Sequence, residues 1–463
     1  MKQSSKSFTF IDFKDKLNIN KIFKNELKIS SISNLTIQNN VIEPLSGFED
    51  FFLKIFNGED YIDFKYNNEN FINTIIFIYF YDYFDSETSS YKSRIFVVNN
   101  TFSLFELNIE TKNFQSLQIT FNKLPTFLTF NNKLYIFSSN DDLLLFEQNN
   151  ELPLTILSLP KITKILDYNH QYFFLVNNDK NYLYIASDNF EIEDLPTMYN
   201  EYEKVKINSM YGEIIDIVVY KNYIYIVQQY GIAKFSIVSN IYRLQYSCAI
   251  NSKIIKNTIQ TIDDYLIFLT TSGLYIFDGN DTKEMFHEFT TLIKCDEFKS
   301  LSYNNNYYLL TKMLIDDILE TVILEFNIEK ENCNIYNIGQ VNDIYLLKTI
   351  NNYSLLALTS NNNKYKILRL AKNKLIDKHK IIRFNKFIIN DYEKKTIKKF
   401  KISGIGNYNI TLTSDLDEYY LSINGSKSFE NLGFTGHVFE LTIESDESFM
   451  INSIYILTST IED

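Results

Sequence analysis

The chain has 463 residues, 45% of them hydrophobic and 22% charged, and carries a net charge of −12. That length exceeds the range of one core and implies two or more domains, while the hydrophobic fraction excludes a disordered chain. The absence of Trp beside 34 Tyr and 39 Phe, with 12 Gly and 5 Pro, follows A/T-rich codon usage, so aromatic abundance alone does not point to an aromatic binding face.

The first residues, MKQSSKSFTFIDFKDK, have no apolar core and no small-residue cleavage site, so they do not read as a secretory signal. Residues 29–56, ISSISNLTIQNNVIEPLSGFEDFFLKIF, read as one or two strands, an Asn-Asn turn and a turn at 44–47. Residues 1–56 are therefore expected to be either ring-closing strands that cover a sheet edge or an arm that embraces a neighbouring subunit.

From residue 57 to 385 a strand pattern returns every forty to fifty residues, the period of a β-propeller. Second strands start at Leu134, Tyr172, Tyr223, Tyr265, Tyr307 and Tyr353, each after a polar residue that suits a tight turn. Third strands start at Leu143, Tyr182, Ile232, Leu274, Val322 and Tyr365. Short loops between them imply antiparallel hairpins. An irregular first unit fits the runs from Thr74 and Arg94, which brings the expected count to seven blades. A sandwich array would need longer crossovers than these. The longest apolar run, residues 75–81, is too short to span a bilayer.

Residues 386–463 change character. Phe400 and Ile402, Ile410 and Leu412, Leu421 and Ile423, Phe439, Leu441 and Ile443, then Ile451, Ile454 and Ile456 alternate with polar residues. Period-two alternation marks strands with one buried face, here a small antiparallel β-sandwich with its own core. The expected fold is all-β, about seven propeller blades followed by that sandwich, and removal of residues 386–463 is expected to leave a folded propeller.

Charge is uneven. Between Lys364 and Lys401, fourteen Lys and Arg stand against three acids, a surplus of eleven that leaves about −23 on the rest of the chain. Lys378, Lys380, Arg383, Lys394, Lys395, Lys398, Lys399 and Lys401 form the candidate subunit-docking strip, with a solvated strand edge guarded by lysines as the alternative. Charge reversal at Lys394, Lys395, Lys398 and Lys399 is expected to weaken assembly more than stability.

No catalytic or metal constellation stands out. Cys248, Cys295 and Cys333 are widely spaced, as buried thiols in a reducing cytoplasm would be, and His170, His287, His379 and His437 lack partners at ligand spacing. The pairs Asp263–Asp264 and Asp316–Asp317 lack a demonstrable opposing partner for glycoside chemistry. The loop Asp278-Gly279-Asn280-Asp281 reads as a hairpin turn rather than a calcium loop. Sequons at Asn34 and Asn409 are expected by chance in an Asn-rich chain. No enzymatic activity, metal or cofactor is expected.

Two segments resemble bacteriophage virion tail proteins that join a propeller to a small terminal sandwich: NLTIQNNVIEPLSGFEDFF from Asn34, and KKFKISGIGNYNITLTSDLDEYYL with GHVFELTIESDESFMINSIYILT, through Ser403 to Gly406 and Gly436 to Ile456. The resemblance implies a structural tail component, a nozzle, connector or baseplate. It would assemble as a homo-oligomeric ring with other tail or portal-complex proteins in the virion, around DNA that passes without sequence-specific binding. The alternative is a cellular β-propeller that serves as a protein-interaction platform with a C-terminal binding module.

Overall fold

The computed structural model describes residues 5–10, 23–24, 29–38, 41–54, 61–63, 75–85, 88–108, 113–130, 132–138, 141–147, 153–156, 162–168, 171–187, 203–238, 241–286, 293, 298–315, 318–349, 352–361, 364–389 and 392–460. His170, His287, Cys295, Asp316 and Asp317 lie outside these residues.

Seven four-stranded antiparallel sheets follow one another along the chain. Blade one begins at Ile75–Asp85, blade two at Thr126–Phe130, blade three at Ile162–Tyr168 and blade four at Ile214–Tyr220. Blade five begins at Gln260–Ile262, blade six at Lys299–Tyr303 and blade seven at Val341–Thr349. The strands expected from the aromatic and β-branched runs are the second and third of their blades. The polar residues before them form tight turns: Lys221 and Asn222 stand at φ 45° and 59°, and Asn304 and Asn305 at 49° and 60°. Asn tolerates this left-handed backbone through local hydrogen bonding. Asp263 holds the same kind of turn at φ 45°, so the Asp263–Asp264 pair is hairpin chemistry. Asp278 Oδ1 likewise accepts the amides of Asn280 and Asp281, at 2.8 and 2.9 Å, and closes its turn.

The ring closes between blades seven and one, where Tyr345 and Leu356 share a core with Ile78 and Phe96. Blade seven draws its fourth strand from the other end of the sequence: Ser46–Asp50 pairs with Lys364–Leu375. Ion pairs Arg369–Glu49 and Lys366–Asp50 flank that pairing. A Cβ on Gly47 would lie 2.7 Å from the Leu375 carbonyl oxygen, so only glycine lets the two backbones approach.

The sandwich has two sheets. One contains Lys395–Ile405, Lys427–Gly436 and Met450–Thr460; the other contains Asn407–Ser414, Glu418–Asn424 and Phe439–Ser445. Between them lie Phe400, Ile402, Ile410, Leu412, Leu441, Ile443, Ile454 and Ile456, all fully buried. Strand pairing divides the two units differently from the sequence pattern. Lys380–Phe384 pairs with Phe439–Ser445 and with Ile29–Ser33, which places it in the sandwich. The reason is occupancy: Ser46–Asp50 already fills the outer position of blade seven. Leu35–Gln38 and Val41–Pro44 form a hairpin on the first sandwich sheet, and Ser5–Phe10 pairs along Met450–Thr460. One core cluster runs from sandwich residues Leu441 and Ile443 through Ile32 and Ile42 to Leu324 and Phe326 of blade six.

A carboxylate–histidine turn caps one sandwich corner. Asp415 accepts the His437 amide at 2.7 Å, the His437 ring Nδ1 at 2.6 Å and the Val438 amide at 3.2 Å. Desolvation opposes ionisation, but the His437 amide and ring and the Val438 amide outweigh it and hold the carboxyl at about 2, below its ordinary 3.8. A depressed carboxyl contributes stability above its unfolded pKa and loses it as pH falls through the folded one. The stability contributed by this turn is therefore lost as pH falls from about 4 to about 2, and the native-state His437 amide resonance is expected to titrate with a midpoint near 2, a titration that Asp415→Asn abolishes.

Candidate functional site at the seam of blade six and the sandwich

Blade six carries an unusual polar face. Strand register aligns Asn306, Asn327 and Asn332 in one cross-strand row, and Tyr308, Glu325 and Asn334 in the next. Period-two alternation puts both rows on the same side of the sheet. Glu325 is 8% exposed and accepts four hydrogen bonds. Asn306 Nδ2 and the Tyr308 hydroxyl donate to Oε1, each at 2.6 Å; the Tyr336 hydroxyl at 2.8 Å and Asn334 Nδ2 at 3.0 Å donate to Oε2. Burial first, then the adjacent Glu325 charge, pushes the Tyr308 and Tyr336 phenols well above their ordinary value, so both hydroxyls remain protonated donors.

This face forms one wall of a cleft of about 660 Å³. The other walls come from the N-terminal hairpin (Thr36, Glu43), from blade seven (Leu370, Leu375) and from the sandwich (Ile405, Phe449). Thr36 and Glu43 are direct cross-strand neighbours. Gly404 precedes Ile405 at a register shift, and its missing side chain lets Met450 approach, since a Cβ there would collide with the Met450 carbonyl oxygen. That close approach is the structural use of the Gly-x-Gly stretch.

A second cleft, also about 660 Å³, opens on the other side of the same seam, between Leu319 and Glu320 of blade six and Lys378, His379, Arg383 and Glu444 of the sandwich. Asn34 staples its floor. At φ 60° and 2% exposure, its Nδ2 donates to the carbonyls of Asn337 (3.0 Å) and His379 (2.8 Å), and its Oδ1 accepts the Asn337 amide at 2.9 Å. His379 sits between two carboxylates, with Nδ1 3.0 Å from Asp446 and Nε2 3.4 Å from Glu444.

The residues of the basic strip divide between two sheets. Lys380 and Arg383 belong to one sandwich sheet; Lys395, Lys398, Lys399 and Lys401 belong to the other. Lys380 is buried and its ammonium donates to the carbonyls of Lys378 (2.8 Å) and Asp446 (3.2 Å), with desolvation lowering its pKa against the pull of Asp377 and Asp446. Lys395 is also buried, 3.2 Å from Glu393. Lys399 pairs with Glu430, Lys394 and Lys398 are half-buried, and Lys378 and Lys401 are exposed. Alternation on Lys395–Ile405 turns Phe400 and Ile402 inward and leaves Lys399 and Lys401 outward.

Charge reversal therefore separates the strip into two classes. Lys395→Glu, which places a carboxylate beside Glu393 in a buried position, is expected to cost about 3–5 kcal/mol, whereas Lys401→Glu is expected to stay within about 0.5 kcal/mol. Thermal melts of the two variants check this.

Among the described residues no group of three His, Cys, Asp or Glu converges to hold a metal, and no helix is long and apolar enough to cross a membrane. Cys248 and Cys333 are thiols outside any disulfide. Glu325, Thr36 and Glu43 were not among the residues expected from the sequence. A signal for Glu325 was present, since a lone Glu interrupts the apolar run VILEF; its direction depends on register, which a single strand does not reveal.

No family model matches the chain, and no curated protein matches it in sequence. Solved structures do match. BamB from Moraxella catarrhalis is 12% identical, with 75% of this chain and 98% of that one covered at a TM-score of 0.40. BBS1N, solved in complex with ARL6DN, is 9% identical over 62% and 89% at 0.40. Kluyvelomyces marxianus Hsv2 is 10% identical over 53% and 80% at 0.32. At such superposition these likenesses carry no argument about function, and the propeller is established by its own strand pairing.

Proposed function

We propose that this chain is a non-catalytic interaction platform, a closed seven-bladed ring with a sandwich set against blade six and partner segments docking in the seam between them. The carrying observation is the state of the seam's polar groups. The deepest carboxylate, Glu325, has its oxygens occupied by four neutral donors of its own blade, while the shallower Glu43, Lys330 and Asn332 line the same cleft. A general acid or base needs a proton in flight at its oxygens. A carboxylate saturated by structural donors makes a rigid wall instead.

Photo-cross-linking tests this reading. A benzophenone side chain placed at Leu319 or Ile405, on the two cleft rims, is expected to trap discrete partners in lysate of the source cells, whereas one at Tyr223 on blade four is not. Equal trapping at all three positions, or none at any, contradicts it. The narrower role, a subunit of a bacteriophage tail ring, is supported by the resemblance at residues 403–406 and 436–456. Purified virions that contain no trace of the chain by mass spectrometry overturn that role and leave the platform reading in place.

A further inference from the structure

We propose that the cleft walled by Glu325 binds an extended peptide segment in which one basic side chain is flanked by apolar ones; this rests on the platform reading and names its ligand class. Four observations support it. First, Thr36 is 3% exposed and lines the cleft, and its Oγ1 has no hydrogen-bond partner. Buried hydroxyls are normally satisfied, so an orphan on a residue that lines a cleft calls for a partner, and a ligand group that presses into this wall would supply one. Second, the blade-six wall is rich in primary amides. The Asn332 side chain makes no hydrogen bond to the described residues, and Asn334 commits only its Nδ2, to Glu325. An amide offers both donors and an acceptor, the complement of a peptide group. Third, Leu375 and Ile405 stand 52% and 64% exposed on the same cleft, a mouth suited to apolar side chains. Fourth, the lining charges are Glu43, Glu325 and Lys330, a surplus of one negative charge that favours a basic residue.

A sugar fits less well. The rings of Tyr308, Tyr336 and Phe449 are 2%, 2% and 1% exposed, so no aromatic face is open for a sugar ring to stack on.

The test probes the full chain on an array of 12-residue peptides in which Arg and Leu positions are varied, beside a panel of neutral oligosaccharides. Peptides that join one Arg or Lys to apolar neighbours are expected to bind. Glu43→Lys is expected to weaken them at least ten-fold and shift preference toward acidic peptides. Ile405→Ser is expected to weaken all of them, and Tyr223→Ser none. If Glu43→Lys alters melting, Asn332→Ala replaces it, with the same ten-fold loss expected. Peptide binding insensitive to all cleft variants overturns this site while leaving the platform standing. Oligosaccharide binding lost in those variants overturns the ligand class. Absence of peptide binding overturns the inference, and if the rim cross-links are absent too, the platform reading falls with it.

Discussion

Deletion of residues 1–45 is expected to leave no cooperatively folded protein, although the strand that closes blade seven, Ser46–Asp50, is retained. Ile32, Leu35, Ile37 and Ile42 are buried in the core that joins the sandwich to blade six. At roughly 1.5–3 kcal/mol per fully buried aliphatic side chain, the four together supply about 6–12 kcal/mol, comparable to the roughly 5–15 kcal/mol by which a domain is stable. Loss of the Asn34 staple adds orphaned carbonyls of Asn337 and His379. A melt followed by circular dichroism checks this, and a shortened chain that unfolds in one sharp step near the parent's temperature contradicts it. The same connectivity changes the expectation for removal of residues 386–463. Ile29–Ser33 keeps Lys380–Phe384, but Lys380–Phe384 loses Phe439–Ser445, and the Leu35–Pro44 hairpin loses Met450–Thr460. The remaining chain then exposes Ile382, Phe384, Ile37 and Ile42, so it is expected to aggregate rather than persist as a clean propeller.

Glu325→Ala is expected to be the most damaging single substitution in the seam, at about 2–6 kcal/mol, roughly 1–3 kcal/mol for each of the two buried phenol hydroxyls it orphans. It leaves the Tyr308 and Tyr336 hydroxyls and two Asn amides without their shared acceptor in a buried position. Glu325→Gln keeps one acceptor oxygen and is expected to cost less, about 1–3 kcal/mol. Denaturant midpoints of the two variants measure the difference. Equal, small losses would mean that water from the cleft replaces the carboxylate without penalty.

The repeat was legible because the middle strands of each blade are buried on both faces, so runs such as LYIF at Leu134 and YIYIV at Tyr223 are apolar throughout and bounded by turn residues. The first strand of blade five, Gln260–Ile262, is short and partly polar and left no comparable trace, whereas that of blade one, Ile75–Asp85, stood out as an apolar run. Most of the sandwich core was legible from alternation alone, from Phe400 to Ile456, although Leu421 is only half-buried and the buried Phe434 and Phe449 escaped the pattern. The seam was not. Asn34 meets His379 across 345 positions of sequence, and register between segments so far apart leaves no local pattern. A single local strand, KIIRF, serves equally well as the end of a blade or the start of a sandwich until its neighbours are known. The placement of the basic residues was not legible for a related reason: a charge count along the chain does not separate the lysine that buries its stem, Lys395, from the one that points outward, Lys401.

The N-terminal strands are an integral part of the sandwich and blade-six core. Hydrogen–deuterium exchange of the intact chain tests that most directly. Peptides covering Ile29–Ser33 and Val41–Pro44 are expected to exchange as slowly as those covering Lys395–Ile405, because they open only when the shared core opens. Complete exchange of the N-terminal peptides within seconds, while Lys395–Ile405 stays protected for hours, would contradict it.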